Sequence, residues 1–462
     1  MIPILPLIVL IPFISIIPIL ALGEKHAHNA GIATAFITFA FSLFAVYLFR
    51  AGINLSFNAA YIASLNLGFS LQLTPFTLIL MVMNAIVFLA AAIVSGYFIR
   101  EKQRMYGTIF AIAEGSAFAV FLSANLFFLY VFWEITEIMV FFIIFIYGGY
   151  ERRYASFKFI IYSLVSSLLL LVGIMFLYSG LHTFSISSII LNSSSISAGT
   201  QVAVLILLLA AFMVKMPVFP LHSWLPDAHT EAPTTGSMIL AGVLLKFGGY
   251  GLLLLFLMIP LASHYSVYIA TIFIVSTIYS AFVSMRQTNL KRAIAYTSIT
   301  DMGIVAIGIS AFNAFGINGA LYGMLSHGIA ISLLFLIAGT LDELYGTLEI
   351  SKIKGVVRRF PHIAYLFIFG VVAAVGIPLT SGFIGDILIF IGAVKSIGIA
   401  SLTAIIGILV IGVMFFWLVE RVFMSSDETV PYRQLGRSVT YCSAFLMVST
   451  ILLGIFPSLL LL

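Results

Sequence analysis

Several ionisable side chains lie inside long apolar stretches of this 462-residue chain, where a charge is energetically costly. They are Glu114, Glu134, Glu137, Lys215, Lys246, Asp301, His327 and Asp386. At the centre of a bilayer each charged group costs about 2.5–3.5 kcal/mol on an insertion scale, so these groups must face one another or water. They could be buried salt bridges that only fix helix packing. Because they spread over several predicted helices, we favour a chain of groups that passes protons through intervening water.

Lys215 has the sequence surroundings of a switchable base. It lies two residues before Pro217, and a proline inside a helix frees backbone carbonyl groups that an ammonium group can bond. A nearby carboxylate stabilises the protonated lysine, and moving that carboxylate away releases the proton. Glu134 and Glu137 are three residues apart and share roughly one helix face, so either both bond one cation or one is structural. We expect Glu134 to be the partner that tunes Lys215.

The histidines support two kinds of interpretation. His327 lies within an apolar run and is equally well explained as a hydrogen-bonded packing residue or as a proton carrier. His222, Asp227, His229 and Glu231 follow one another closely after the predicted seventh helix. Their spacing matches no zinc motif, so we expect helix caps and loop hydrogen bonds there, and no metal.

The composition defines the elements that must position these groups. Hydrophobic residues make up 62% of the chain and Asp, Glu, Lys and Arg only 8%, against about 25% charged residues in ordinary soluble domains. This excludes a soluble globular enzyme, a disordered chain and a nucleic-acid-binding protein. A single cysteine, Cys442, excludes a disulfide framework and a thiolate-bound iron–sulfur cluster.

We predict an all-α polytopic membrane protein of about fourteen transmembrane helices, because a bilayer takes about 20 apolar residues per helix and backbone groups in lipid must bond internally. The predicted spans are 2–22, 30–50, 75–99, 108–124, 126–147, 157–181, 201–221, 234–259, 265–285, 291–310, 316–341, 363–394, 400–423 and 438–462. With the N-terminus outside, most of the 21 Lys and Arg residues fall in inside loops, and only Arg50 and Lys395 lie outside. Both termini are therefore predicted outside, in a prokaryotic-type cell membrane.

Two of these helices are predicted to be broken at matching places. Pro217 and Pro220 interrupt the seventh, and Pro378 interrupts the twelfth. The string SLLLLVGI at 167–174 is also similar to SLLFLIAG at 332–339. Ordinary proline kinks would explain the breaks alone, but paired discontinuous helices in matching halves are typical of transporters with a site near the midplane.

Four segments carry a resemblance to a known family. They are FLYVFWEITEIMVF (128–141), AFMVKMPVFPLHSWLPDAHTEAPTTGSMILAGVLLKFGGYG (211–251), MRQTNLKRAIAYTSITDMG (285–303) and LSHGIAISLLFLIAG (325–339). The chain resembles the antiporter-like membrane subunits of respiratory complex I, and most of all their M type.

The resemblance implies an architecture of two inverted five-helix repeats. Residues 1–107 would form helices 1–3, residues 108–259 the first repeat (helices 4–8), residues 260–424 the second repeat (helices 9–13), and residues 425–462 the last helix. It also implies proton translocation driven by a separate redox module.

The family's roles carry over to residues of matching motifs. These are Glu134 of the FWE motif, Lys215 before the proline, Lys246 of LLKFGGYG, His327 of the SHG motif and Asp386 after a Gly-rich break. We place Glu137, Asp301, His222 and Glu114 in a second tier of the proton path. The sequence departs from the family in three places: Asp386 replaces the usual Glu, Asp301 stands where His is frequent, and the loop LDELYGTLEISKIKG is unusual.

The leading hypothesis is a proton-translocating subunit of a complex I-type oxidoreductase that binds no cofactor itself. NADH or another donor, flavin, iron–sulfur clusters and quinone are expected in partner subunits. The expected partners are sibling antiporter-like and small membrane subunits, a peripheral redox module and lipid. The alternatives are a subunit of a ferredoxin-driven membrane hydrogenase or of a multisubunit sodium/proton antiporter, and a stand-alone permease. Neighbouring genes would discriminate among them.

Overall fold

The computed structural model describes residues 3–62, 67–425 and 436–461, and of Lys25 only the backbone. Residues 426–435, at the predicted start of the C-terminal segment, lie outside these ranges. Thirteen helices of the described part are long and apolar enough to cross a membrane. A further crossing is made by two shorter helices in series, Pro361–Ala374 and Ser381–Ser396. This agrees with the predicted fourteen spans.

The helices up to the first break are α1 (Ile4–Ile14), α2 (Ile16–Ala21), α3 (Glu24–Arg50), α4 (Pro75–Phe98), α5 (Gln103–Leu122), α6 (Leu126–Tyr147), α7 (Arg152–Leu181), α8 (Ile186–Leu191) and α9 (Ala198–Lys215). The following ones are α10 (Trp224–Glu231), α11 (Thr234–Ile239), α12 (Leu245–Met258), α13 (Ser266–Ser284), α14 (Leu290–Ser310) and α15 (Ala314–Tyr345). The last are α16 (Val356–Arg359), α17 (Pro361–Ala374), α18 (Ser381–Ser396), α19 (Ile405–Leu418) and α20 (Arg437–Ile455).

The core consists of four spans that are almost completely covered by the others. These are α4, α11–α12, α14 and α15. The span of α5 is 78% buried, and the other surrounding spans are 28–44% buried. These outer helices turn apolar side chains outward, as helices in contact with lipid or protein do. The ionisable residues Lys246, Asp301 and His327 lie on core spans, so the protein keeps them from lipid.

A β-hairpin is an addition to the predicted all-helical architecture. Strands β1 (Ser56–Ile62) and β2 (Leu67–Gln72) pair antiparallel, with Ser56 opposite Gln72. Strand β2 lies across the connection between α5 and α6, where Ala124 N–H donates to Ser70 O. These backbone bonds satisfy the polar groups of the segment that joins α3 and α4.

The two predicted helix breaks are confirmed. α9 ends at Lys215, directly before Pro217, and the chain resumes helical structure at Trp224. α17 ends at Ala374 and α18 begins at Ser381, with Gly376 at φ +72° between them. The equivalence of the two halves as inverted repeats and the four domain boundaries stay predictions.

A third irregularity lies in the eighth span, in a segment that contains no proline. Residues Leu240–Leu244 form a π-helical turn between α11 and α12. Such a turn leaves the regular α-helical bonding pattern locally and is frequent at functional sites. Lys246 follows it by two residues.

Buried charges as the candidate functional site

Lys215 and Glu137 form a closed ion pair at the first helix break. The ammonium group lies 2.5 Å from both carboxylate oxygens, and the two residues are only 4% and 3% exposed. Trp133 Nε1–H donates to Glu137 Oε1 at 2.8 Å, and this bond fixes the carboxylate. Such charge-assisted bonds offset part of the cost of burying both charges.

Glu134, which the sequence favoured as the lysine's partner, does not occupy that position. It is half-buried, and no donor among the described residues reaches its Oε1. Residues three apart on a helix differ by about 60° around the axis and about 4.5 Å along it. Lys215 ends α9 at the level of Glu137, so the expectation of direct pairing with Glu134 was wrong.

Two serines of α7 extend the Lys215 site. The ammonium group donates to Ser163 O at 3.2 Å and lies 3.4 Å from Ser167 Oγ. These contacts were missed in the sequence, because serine inside an apolar helix usually bonds its own backbone. They give the lysine neutral partners beside its carboxylate.

Lys246 forms the second centre with a carbonyl group and a histidine. Its Nζ lies 2.5 Å from Ala241 O, in the π-helical turn, and 2.5 Å from His327 Nδ1. Lys246 is 0% exposed. When Lys246 is protonated, its ammonium group can only donate, so Nδ1 accepts and a neutral imidazole carries its hydrogen on Nε2.

The other ring nitrogen of His327, Nε2, faces the two aspartates, Asp301 and Asp386. Its distance to Asp301 Oδ2 is 3.8 Å, which is too long for a hydrogen bond. A cavity of about 30 Å³ lies among Asp301, Ser326, His327 and Asp386. A buried water needs about 10–15 Å³, so the cavity can hold water between the imidazole and the two carboxyl groups.

Gly376 allows Asp386 to occupy this cavity. A Cβ atom at position 376 would lie 2.6 Å from Asp386 Oδ2, closer than any real contact, and φ at +72° also favours glycine. The break of the twelfth span thus supplies both the bend and the space for the carboxyl group.

The two centres are neighbours. An added Cβ at Gly248 would lie 2.7 Å from Met216 N and 3.0 Å from the carbonyl carbon of Lys215, so α12 packs directly on the helix break. Lys246 lies two residues before Gly248, about 200° around the same helix, so it projects from the opposite face and α12 separates the two lysines. The structure therefore shows two groups of ionisable residues on either side of α12: Lys215 with Glu137, and Lys246 with His327, Asp301 and Asp386.

The other predicted residues lie away from these two groups. The His222 ring packs against Phe219, Tyr279 and Tyr296, and burial lowers its pKa. Glu114 lies on α5 and contacts Thr38.

The residues after the first break make the loop and interhelix bonds of a structural segment. Glu231 Oε2 accepts the Glu151 backbone N–H at 2.8 Å, and burial raises the pKa of this carboxyl group. Asp227 accepts from Lys158 at 2.6 Å and from Arg292 at 2.5 Å. This acid therefore ties α10 to α7 and α14, a link that spacing alone could not indicate.

His229 is the most deeply buried member of that segment. Its ring stacks on Phe335 with centroids 4.4 Å apart, and neither ring nitrogen has a partner among the described residues. Burial, with the charges of Lys291 and Lys246 nearby, lowers the pKa of His229 well below its ordinary value. The imidazole is therefore neutral at physiological pH.

A multispan helical bundle with two broken helices and buried acids and bases in its core is the architecture of the antiporter-like membrane subunits. Comparison with known families agrees: the family described as NADH:quinone oxidoreductase/Mrp antiporter, TM, matches residues 123–415. The chain belongs to this family.

Relatives and solved structures agree over nearly the whole length. NADH-quinone oxidoreductase subunit M of Rickettsia bellii is 33% identical over 473 residues, covering 99% of this chain and 96% of that protein. A chain of respiratory complex I from Thermus thermophilus with bound NADH superposes with a TM-score of 0.90 at 24% identity, covering 99% and 98%. A chain of the Mrp complex from Dietzia sp. DQ12-45-1b also gives 0.90, at 18% identity and 99% and 95% coverage.

Proposed function

We propose that this chain is a proton-translocating membrane subunit of an NADH-quinone oxidoreductase, which itself performs no redox chemistry. The observation that carries the proposal is the row of buried acids and bases from the Glu137–Lys215 pair through Lys246 and His327 to Asp386. Each side chain in it can bind or release a proton. Neighbours are in contact or are separated by one packed helix or by space for water.

The proton steps follow from the contacts. Glu137 holds Lys215 protonated, and loosening of this pair weakens the lysine's hold on its proton. The proton then passes across the α9–α12 contact to the Lys246–His327 pair. His327 takes a proton on Nδ1 and releases one from Nε2, which leaves a neutral ring with its hydrogen on Nδ1. The ring must then return to the Nε2–H tautomer before it relays the next proton.

The last step takes place in the cavity around the two aspartates. Water there receives the proton from His327 Nε2 and passes it to Asp301 and Asp386. Asp386 stands on the broken twelfth span and releases the proton toward the outside. His222, at the inner end of the first break, belongs to the entry side, while Glu134 is a second acceptor beside the lysine.

The proposed function includes redox subunits and sibling membrane subunits as partners. NADH or another donor, flavin, iron–sulfur clusters and quinone would bind in partner subunits and a peripheral module. Exposed apolar faces, such as Phe157, Ile161 and Leu168 on α7, would contact sibling membrane subunits and lipid. The orientation with both termini outside a prokaryotic-type cell membrane belongs to the same proposal.

Two observations favour this function over the alternatives. The relative that spans almost the whole chain at 33% identity is a subunit of NADH-quinone oxidoreductase, whereas the likeness to the Mrp complex is one of fold at 18% identity. A permease for an organic solute would need a substrate pocket on the axis. The axis cavity of about 30 Å³ is large enough only for water.

The test is the Lys215→Met variant of the assembled complex in sealed membrane vesicles. We expect normal assembly and loss of proton pumping per quinone reduced. Lys352→Met is the matched control, because Lys352 lies exposed in the α15–α16 loop and pairs only with Glu349 among the residues described. Normal pumping by the Lys215 variant would refute the proposal.

A further inference from the structure

Glu114 is a buried carboxyl group that the proton axis does not use. It lies in α5, is 1% exposed, and its Oε1 accepts from Thr38 Oγ1 of α3 at 2.5 Å. Its second oxygen, Oε2, is buried without a hydrogen-bond partner among the described residues. A carboxylate with one bond in an apolar interior is costly, so its charge must be neutralised.

The elements around Glu114 supply no cation for that purpose. Helices α1, α2 and α4 and strand β2 contain no charged residue, and the charged groups of α3 stand at its two ends. On the other neighbours, α6 carries Glu134 and Glu137, and on α12 Lys246 bonds Ala241 and His327. A proton on Glu114 is the remaining way to remove the charge.

The number of hydrogens that Thr38 can donate also favours a protonated Glu114. Its hydroxyl has one hydrogen, yet Glu114 Oε1, Ala35 O at 3.0 Å and Thr34 O at 3.2 Å all lie within reach. A protonated Glu114 can donate to Thr38 Oγ1, which leaves the hydroxyl hydrogen for a backbone carbonyl. Oε1 and the Thr38 hydroxyl are then both satisfied, and only the uncharged oxygen Oε2 of Glu114 stays without a partner among the described residues, which costs less than an unpaired charge.

Asn84 provides an independent sign of a polar site at the same height. It is 0% exposed, and neither atom of its amide group has a partner among the described residues. Phe88 of α4 contacts Phe110 of α5 with centroids 5.2 Å apart. Asn84 comes four residues before Phe88, and Glu114 comes four residues after Phe110. Because α4 and α5 run antiparallel, both steps lead in the same direction, so Asn84 and Glu114 lie at the same height on the helix faces that meet.

A small cavity begins one turn from this level, at Phe110, and lies between it and the end of α3 that carries His28. It has a volume of about 20 Å³, enough for one water, and it reaches from His28 and Ser95 to Phe110, one turn from Glu114. Ser95 Oγ donates to Ala92 O at 2.9 Å, so it accepts from His28 Nδ1 at 3.0 Å. The neutral ring therefore has a lone pair on Nε2 that can take up a proton.

We propose that Glu114, with Thr38 and Asn84, forms a proton-binding site separate from the central axis, which exchanges its proton with water on the inner side through His28 and the cavity beside it. The ligand is a proton, held at about the middle of the membrane between α3, α4 and α5. The site does not depend on the function proposed for the axis.

The experiment is infrared difference spectroscopy of the full complex in lipid during transfer from H₂O to D₂O. Glu114→Gln should remove one carbonyl band of a protonated carboxylic acid, and Glu114→Asp should shift that band. The control is Glu101→Gln, an exposed carboxylate in the α4–α5 loop, which should leave the band unchanged. An unchanged band in both Glu114 variants would overturn the site.

A second measurement tests the route. His28→Phe keeps a ring of similar size and should slow deuterium exchange of the Glu114 band several-fold. The exposed His26, two residues earlier, provides the control, because His26→Phe should exchange at the wild-type rate. Equal rates in the two histidine variants would overturn the connection through His28.

Discussion

The two lysine centres of the axis solve the problem of a buried cation in different ways. The Glu137 carboxylate lies 2.5 Å from Lys215 Nζ and balances its charge by direct contact. Lys246 meets a carbonyl and an imidazole, and the nearest acid of its centre, Asp301, lies behind the histidine. The first centre is a closed pair that must open before a proton can leave, and the second already has a path onward. If the chain translocates protons as proposed, this difference predicts that the first centre controls proton release and the second conducts.

The largest effect is expected from breaking the closed pair. Glu137→Gln leaves the Lys215 charge buried without a counter-charge, which typically destabilises a protein by about 3–5 kcal/mol. We expect nearly complete loss of pumping and a lower yield of assembled complex, measured on the same vesicles. Glu134→Gln is the matched control, one turn away on α6, and should retain more activity. A more severe defect in the Glu134 variant would reverse our assignment of the partner.

Loss of the Asp386 carboxyl group should stop proton conduction and leave assembly of the complex unchanged. Asp386→Asn removes a group that ionises, so we expect most pumping to be lost at normal yield. Asp386→Glu restores the carboxyl group that the family usually has and should keep activity. Gly376→Ala should also impair pumping, because its Cβ would displace Asp386 Oδ2. Loss of yield in step with pumping in Asp386→Asn would indicate that Asp386 only holds the helix in place.

A smaller effect is expected at the inner ion-pair link. Asp227 joins Lys158 and Arg292, and its side chain is 15% exposed. Partly exposed pairs contribute about 1 kcal/mol or less each, so Asp227→Asn should lower the melting temperature of the complex modestly. High salt should narrow the difference from wild type, because it weakens the same interaction. A salt-independent difference would mean that packing and not charge is responsible.

The smallest effect is expected in the pH dependence of folding stability. An unfolded histidine takes up a proton as the pH falls below about 6.5, whereas buried His229 stays neutral. The unfolded state then binds more protons, so stability is full above about pH 6.5 and declines as the pH falls toward the lower pKa of the folded state. His229→Phe, which keeps the stack on Phe335, should reduce this decline in thermal unfolding experiments. The exposed His26→Phe variant should show the wild-type profile.

The sequence was sufficient for the spans and the breaks, because apolar length and proline act locally. Pro217 and Pro378 mark the breaks without reference to the rest of the fold. The partner of Lys215 was beyond local reasoning. Glu134 and Glu137 are equally acidic, and only the rotation of α6 against α9 decides which one meets the lysine.

Other features depended on contacts between distant segments. The π-helical turn before Lys246 carries no proline, and the bond from Thr38 to Glu114 joins residues 76 positions apart. The hairpin β1–β2 was missed because an all-helical pattern dominates the composition. Local patterns thus predicted which membrane spans carry the charged residues. Tertiary packing decided which of these residues contact one another.

The π-helical turn at Leu240–Leu244 has a consequence for changes in chain length. A π-turn takes up one residue more than the α-helical path it replaces. Deleting one residue there would restore a regular α-helix, and the residues after the turn would keep nearly the same facing, so Lys246 would still point toward His327. The carbonyl of Ala241 would return to α-helical bonding and would no longer be free to accept from Lys246. A single-residue deletion in this turn should therefore leave the eighth span folded and remove one of the two bonds of the Lys246 amine.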